Sequence, residues 1–205
     1  MQLIGMLDSP YVRRVAVAML SAGVPFEHQP ISLFRHIEPF ARISPLLKAP
    51  SLIAEGAALV ESGVILDYLA TRFPALAAQR PKGLAAFQAL GAALVVMEKA
   101  VQAHYERALR GPGERSESWR LRVMGQLGAG LAALEAAAPE GWFEGEPGHA
   151  DFALACAVGF IDGAIGDLVA LAPYSRLRAL AARAEALPAF RAAPALDGVT
   201  VEVLR

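Results

Sequence analysis

The chain has 205 residues, 55% of them hydrophobic and 19% charged, with a formal net charge of −1. That is enough for two small domains or one large one around a sizeable core, and it excludes a disordered chain. Lys and Arg are scattered through the chain, so it lacks the electrostatic footprint of a nucleic-acid or acidic-membrane partner. The longest uninterrupted apolar stretches, around Ala92 to Met97 and Phe152 to Ile161, fall short of the roughly 20 residues of a spanning helix. The N-terminus opens on strand-like Gln2-Leu3-Ile4-Gly5 without a secretory leader, and a cytoplasmic protein is expected. Cys156 is the single cysteine, which excludes an intrachain disulfide and a Cys-x-x-Cys pair, and four scattered histidines argue against a zinc site. Thiol chemistry would need a borrowed thiol.

Residues 2 to 5 read as a short strand, followed by a helix over 10 to 22 with Val12, Val15, Ala16, Met19 and Leu20 at helical spacing. Gly23 and Pro25 stop it. Phe26 to Ile31 reads as a second strand that Pro30 confines to an edge or an early end. A less regular helical stretch, Leu33 to Ile43, precedes two apolar runs, Ser51 to Ala54 and Ala57 to Val60, joined by Glu55-Gly56 as a tight hairpin. A helix over Gly63 to Arg72, with Ile65, Tyr68 and Leu69 on one face, completes a β-α-β-α-β-β-α order.

Phe73 to Gly83, with Pro74, Pro81 and Gly83, reads as a linker. Helices are then expected over Leu84 to Leu109, Glu117 to Ala138, Ala150 to Ala170 and Ser175 to Leu187, with a Gly-Pro-Gly turn at 111 to 113 between the first two. No strand is expected after residue 83. The organisation is therefore an α/β domain over 1–75, a linker over 76–83 and an all-helical domain over 84–205.

Two helix starts carry the functional signal. Ser9 fits an N-cap with Pro10 at the first helical position, where its missing N–H is not needed. Ser62 can cap the third helix, whose unpaired N–H groups face any anion placed before them, while Glu61 brings a charge that attracts an ammonium. The Glu61-Ser62 pair suits a small zwitterion, and two such mouths in one short domain suit a two-ended ligand.

In this order and spacing, Ser9-Pro10-Tyr11-Val12-Arg13, Lys48-Ala49-Pro50-Ser51-Leu52 and Glu61-Ser62-Gly63-Val64-Ile65-Leu66-Asp67-Tyr68-Leu69 carry a resemblance to the cytosolic glutathione S-transferases, in their bacterial, serine-type form. The likeness spans nearly the whole chain. It implies a thioredoxin-like N-terminal domain that binds glutathione as co-substrate, an all-α C-terminal domain lining the electrophile pocket, a homodimer, and no metal. By position, Ser9 matches the serine that hydrogen-bonds the glutathione sulfur. Pro50 matches a cis-proline that turns the backbone of Ala49 toward the cysteinyl unit. Glu61 and Ser62 match the holders of the γ-glutamyl ammonium and carboxylate, and Lys48 reads either as a partner of the glycyl carboxylate or as a free surface lysine.

The match has departures. Relatives often read Asn-Pro-x-Gly-Lys-Val-Pro where this chain has Ser44-Pro45-Leu46-Leu47-Lys48-Ala49-Pro50, and Gly148-His149-Ala150-Asp151 lacks the usual Ser or Thr cap three residues before the Asp. Asp151 is read as structural, acting from the first helical turn. His104, Tyr105 and Glu98 fall on a helix that borders the cleft in relatives, yet read more simply as two solvated polar groups and a stripe residue. Trp142-Phe143 and Cys156 read as packing residues. The implied function is conjugation of the glutathione thiolate to small apolar electrophiles. The alternatives are a glutathione-dependent isomerase or dehalogenase, although Asp8-Ser9-Pro10 does not match the Ser-Ser-Cys of maleyl-compound isomerases, and a non-catalytic glutathione-binding protein.

Overall fold

The computed structural model describes residues 1–196 and 198–201, so the far end of the expected helical domain, at 197 and 202–205, lies outside the described residues. The chain forms two compact units, Met1–Arg80 with Glu185–Arg205, and Pro81–Ala184.

The first unit is built on a four-stranded sheet in the order β2-β1-β3-β4, from β1 (Gln2–Ile4), β2 (Glu27–Gln29), β3 (Ser51–Ala54) and β4 (Ala57–Val60). β1 and β2 run parallel across α1 (Pro10–Ser21), and β1–β3 and β3–β4 are antiparallel. β2 pairs over only three residues, ending before Pro30, which has no N–H to continue the ladder. α1 starts where Ser9 and Pro10 place it, with Ser9 as N-cap and Pro10 in the first turn. Its apolar face, including Val12, Val15, Ala16 and Met19, is fully buried.

α2 spans Ile37–Ile43, shorter than the expected Leu33 to Ile43. The preceding residues fold as a polar turn, because Ser32 Oγ accepts from the N–H groups of Phe34 and Arg35 and so competes with the helix. α3 spans Ser62–Arg72. The expected linker contains a short helix, α4 (Pro74–Ala78), which Pro74 can open for the same reason as Pro10.

The described residues after Glu185 return to the first unit. α9 (Pro188–Ala192) packs on α1, with Phe190 wholly buried. Buried Arg13 of α1 holds it: its guanidinium donates to both carboxylate oxygens of Glu185 at 2.5 and 2.7 Å, its Nε donates to the Ala193 carbonyl at 2.7 Å, and its charged carbon stands 5.0 Å above the Phe190 ring. Planar, five-donor arginine suits this combination of fork and stacking.

The second unit is helical. α5 (Leu84–Ala108) packs against α6 (Glu117–Ala137) and α7 (His149–Ile165), and α8 (Ser175–Glu185) follows. Over its full length α5 is long and apolar enough to cross a membrane, a composition that the count of uninterrupted runs had missed. A helix buried on one face against two others meets the same test, and α5 carries Glu98 and Lys99 near its middle. α7 begins with Asp151 in its first turn accepting from the N–H groups of Gly148 at 2.9 Å and Phe143 at 3.2 Å, which replaces the missing Ser or Thr cap. Burial raises the Asp151 pKa above the usual carboxylate value, against those two bonds.

Candidate functional site

The strand register decides where the three motifs go. Ile4 pairs with Ser51, and Ser51 pairs with Val60, so these three residues form one row across β1, β3 and β4. The segments just outside that row, 5–9, 48–50 and 61–62, therefore leave the sheet at the same end. Gly5 marks how closely two of them approach. At φ +137 it adopts a backbone closed to other residues, and a Cβ there would lie 2.6 Å from Val12 Cγ2 and 3.2 Å from Ala49 Cβ.

Ser9 is half-buried, and its Oγ accepts a long contact of 3.5 Å from the Val12 N–H, which leaves the hydroxyl proton free to donate outward. The Ala49–Pro50 peptide is cis. Lys48 is exposed, and its carbonyl accepts from the buried Ser51 hydroxyl at 2.7 Å, pinning the strand entry. Leu47, standing where relatives often place glycine, takes φ +47. Leu47 thus takes a left-handed backbone, a conformation that is sparsely populated by residues with a Cβ.

At α3 the structure departs from the expected capping. The helix begins at Ser62, and Glu61, at φ +73, is the N-cap. Glu61 Oε2 accepts from the N–H groups of Gly63 at 2.9 Å and Val64 at 3.2 Å, and the Ser62 hydroxyl points to Glu61 Oε1 at 3.3 Å. Those amides lie two and three residues beyond Glu61, the ordinary reach of an N-cap acceptor, while Ser62 is turned inward and is only 1% exposed.

On its buried side Ser62 meets Arg14, a residue that no sequence motif singled out. It is buried on α1, and its guanidinium donates to Ser62 Oγ at 3.0 Å. Arg14 lies five positions after Ser9, about 8 Å along the helix axis, so this bond ties the two helix starts into one site with a cation behind it.

The remaining candidates belong to the second unit. On α5, Glu98 pairs with Lys99 at 3.0 Å and accepts from Gln102 at 2.7 Å. His104 packs edge-on to Phe160 of α7 with a centroid separation of 5.7 Å, while Tyr105 is exposed rather than part of the buried stripe. The Trp142 ring lies beneath Arg183 at 5.3 Å, and Cys156 is buried on α7. Among the described residues no three His, Cys, Asp or Glu side chains cluster as a metal site would require.

A mixed β2-β1-β3-β4 sheet carrying two helix starts and a cis-proline at one end, followed by an all-helical unit, defines a thioredoxin-like domain joined to a helical one. Residues 3–81 match the family model described as the glutathione S-transferase N-terminal domain, and residues 102–183 match the C-terminal domain model. A maleylacetoacetate isomerase from Pseudomonas aeruginosa is 32% identical over 191 residues, covering 88% of this chain and 89% of the relative. Among solved structures, a glutathione S-transferase from Methylobacterium radiotolerans in complex with glutathione sulfonate superposes with TM-score 0.85 at 27% identity, covering 99% of both chains. One from Methylobacillus flagellatus with glutathione bound gives TM-score 0.84 at 25% identity, covering 94% of this chain and 98% of the other. The chain belongs to the glutathione S-transferase family.

Proposed function

We propose that the first unit binds glutathione across Ser9, Lys48-Ala49-Pro50 and Glu61-Ser62, and that the protein is a serine-type glutathione transferase acting on small apolar electrophiles. The observation that carries this reading is the arrival of those segments at one end of the sheet, with Arg14 bonded to Ser62. The sulfur rests at the start of α1. Ser9 donates its free hydroxyl proton to the thiolate, and the α1 amides add partial positive charge. A free thiol has a pKa near 8.5, and lowering it by two units takes about 2.7 kcal/mol, within reach of one hydroxyl bond and one helix end.

Ala49 presents its backbone to the cysteinyl unit, and Lys48 pairs with the glycyl carboxylate. Ser62 donates to the γ-glutamyl carboxylate, and Glu61 pairs with the ammonium. In the reaction the sulfur lone pair forms the new C–S bond and the leaving group departs with its bonding electrons. Rate comes from thiolate formation and proximity rather than from a general base. The helical unit supplies the electrophile side, the working form is a cytoplasmic homodimer, and the role is detoxification.

The test is titration calorimetry with glutathione followed by conjugation assays on Ser9→Ala. The variant is expected to bind glutathione within about threefold of the parent and to lose roughly tenfold in kcat/KM at neutral pH, the share of thiolate held by the hydroxyl bond while the helix end remains. Full activity in Ser9→Ala overturns the role of Ser9.

A second reading is favoured by the relative named as a maleylacetoacetate isomerase. There the same thiolate adds to a conjugated double bond, the new single bond rotates, and elimination returns the thiol and the isomerised alkene. Turnover of a cis-enone acid without consumption of glutathione distinguishes it from conjugation.

A further inference from the structure

Glu61 has two tasks that compete for one carboxylate. The proposed function gives it the ligand's ammonium, yet its carboxylate is folded onto the start of α3, accepting from Gly63 and Val64 N–H and facing the Ser62 hydroxyl. A carboxylate thus already occupies the turn to which the ligand's own carboxylate is assigned. Ser62 makes the conflict sharp. A hydroxyl has a single proton, and Arg14 donates into its oxygen, so that proton goes either to Glu61 or to the ligand. Two carboxylates sharing one helix turn also repel each other. Glu61 is exposed, with room to swing outward, whereas Ser62 and Arg14 are buried and fixed.

Resting on the glutathione reading, we propose that Glu61 is a displaceable internal anion that makes the site select an α-amino acid end over a simple carboxylate. An ammonium next to the incoming carboxylate draws Glu61 off the helix, and the freed donors receive the carboxylate. A ligand with the carboxylate but no ammonium must expel Glu61 with nothing to compensate it. A cap of ordinary strength is preferred by roughly three- to thirtyfold, and apparent affinity falls by the fraction of sites it holds closed. Glu61 is therefore a specificity-determining residue twice over, by attraction of the right ligand and by competition with the wrong one.

The experiment is titration calorimetry of glutathione and of glutaryl-cysteinylglycine, which is glutathione without its amino group, on the full chain and on Glu61→Gly, Glu61→Gln and Ser62→Ala. Glycine removes the carboxylate and suits φ +73, and the Gln variant retains an amide oxygen to cap the helix should Gly destabilise it. The parent is expected to favour glutathione by at least about tenfold. Glu61→Gly is expected to bind glutathione more weakly and the amine-free analogue about tenfold more tightly than the parent, and Glu61→Gln to shift the same way by less. Analogue affinity that is unchanged or weaker in both variants overturns the competition. If in that case Ser62→Ala loses glutathione, the glutathione reading stands and only the gate falls. If the parent binds no glutathione, or Ser62→Ala binds it normally, both fall together.

Discussion

His28 is held as a single neutral tautomer. Its Nδ1 accepts from the Val201 N–H at 3.1 Å, so the proton resides on Nε2, which donates to the Gly5 carbonyl at 2.8 Å. Burial holds its pKa below the ordinary histidine value, opposed by the bond to the Gly5 carbonyl. The neutral form is thus favoured by folding, and its contribution is complete above about pH 6.5 and lost as pH falls below that value toward the depressed folded pKa. Urea unfolding at pH 7.5 and 5.5 is expected to show a fall in stability that His28→Gln removes, since a neutral amide has no proton to gain. At this scale, the places of Ser9, Pro50, Glu61 and Ser62 at helix and strand starts were legible, because capping and proline residues mark such starts. Arg14 was not, because nothing in a helical run of Val12-Arg13-Arg14-Val15 tells which arginine is buried or what it meets 48 positions later.

Long-range caps organise the elements of the helical unit. α8 starts without a local acid, and Glu135 of α6 serves instead, its carboxylate accepting from the N–H groups of Arg176 at 2.9 Å and Leu177 at 3.0 Å. Glu144 does the same before α5, accepting from Lys82 and Gly83 N–H, each at 2.8 Å, and the Gly83 and then the Lys82 amide lower its pKa. Glu135→Ala is expected to lower stability by about 1 kcal/mol, read from the denaturation midpoint, while Glu135→Gln retains most of it. Helical periodicity and the Gly and Pro stops made the main helices and the hairpin readable. The short helices α4 and α9 were lost in Pro-rich stretches, because five residues are too few to show a period and their stability comes from packing.

For the molecule as a whole, the division into an α/β part and a helical part was visible in the change of pattern near residue 83. The return of the chain from Glu185 was not, since an ion pair between distant residues leaves no local mark. Phe190 of α9 is fully buried beneath Arg13, so Phe190→Ala is expected to destabilise the first unit by about 3–5 kcal/mol. Thermal melts check this through a lowered midpoint.

That closing clasp sets an order of events at the ribosome. The carboxylate partner of Arg13 is translated 172 positions after it. The amino-terminal lobe is thus finished only once the helical unit has been made, and a gene fragment encoding residues 1–80 alone would yield a lobe that lacks the Glu185 carboxylate and the cover of α9 on its first helix.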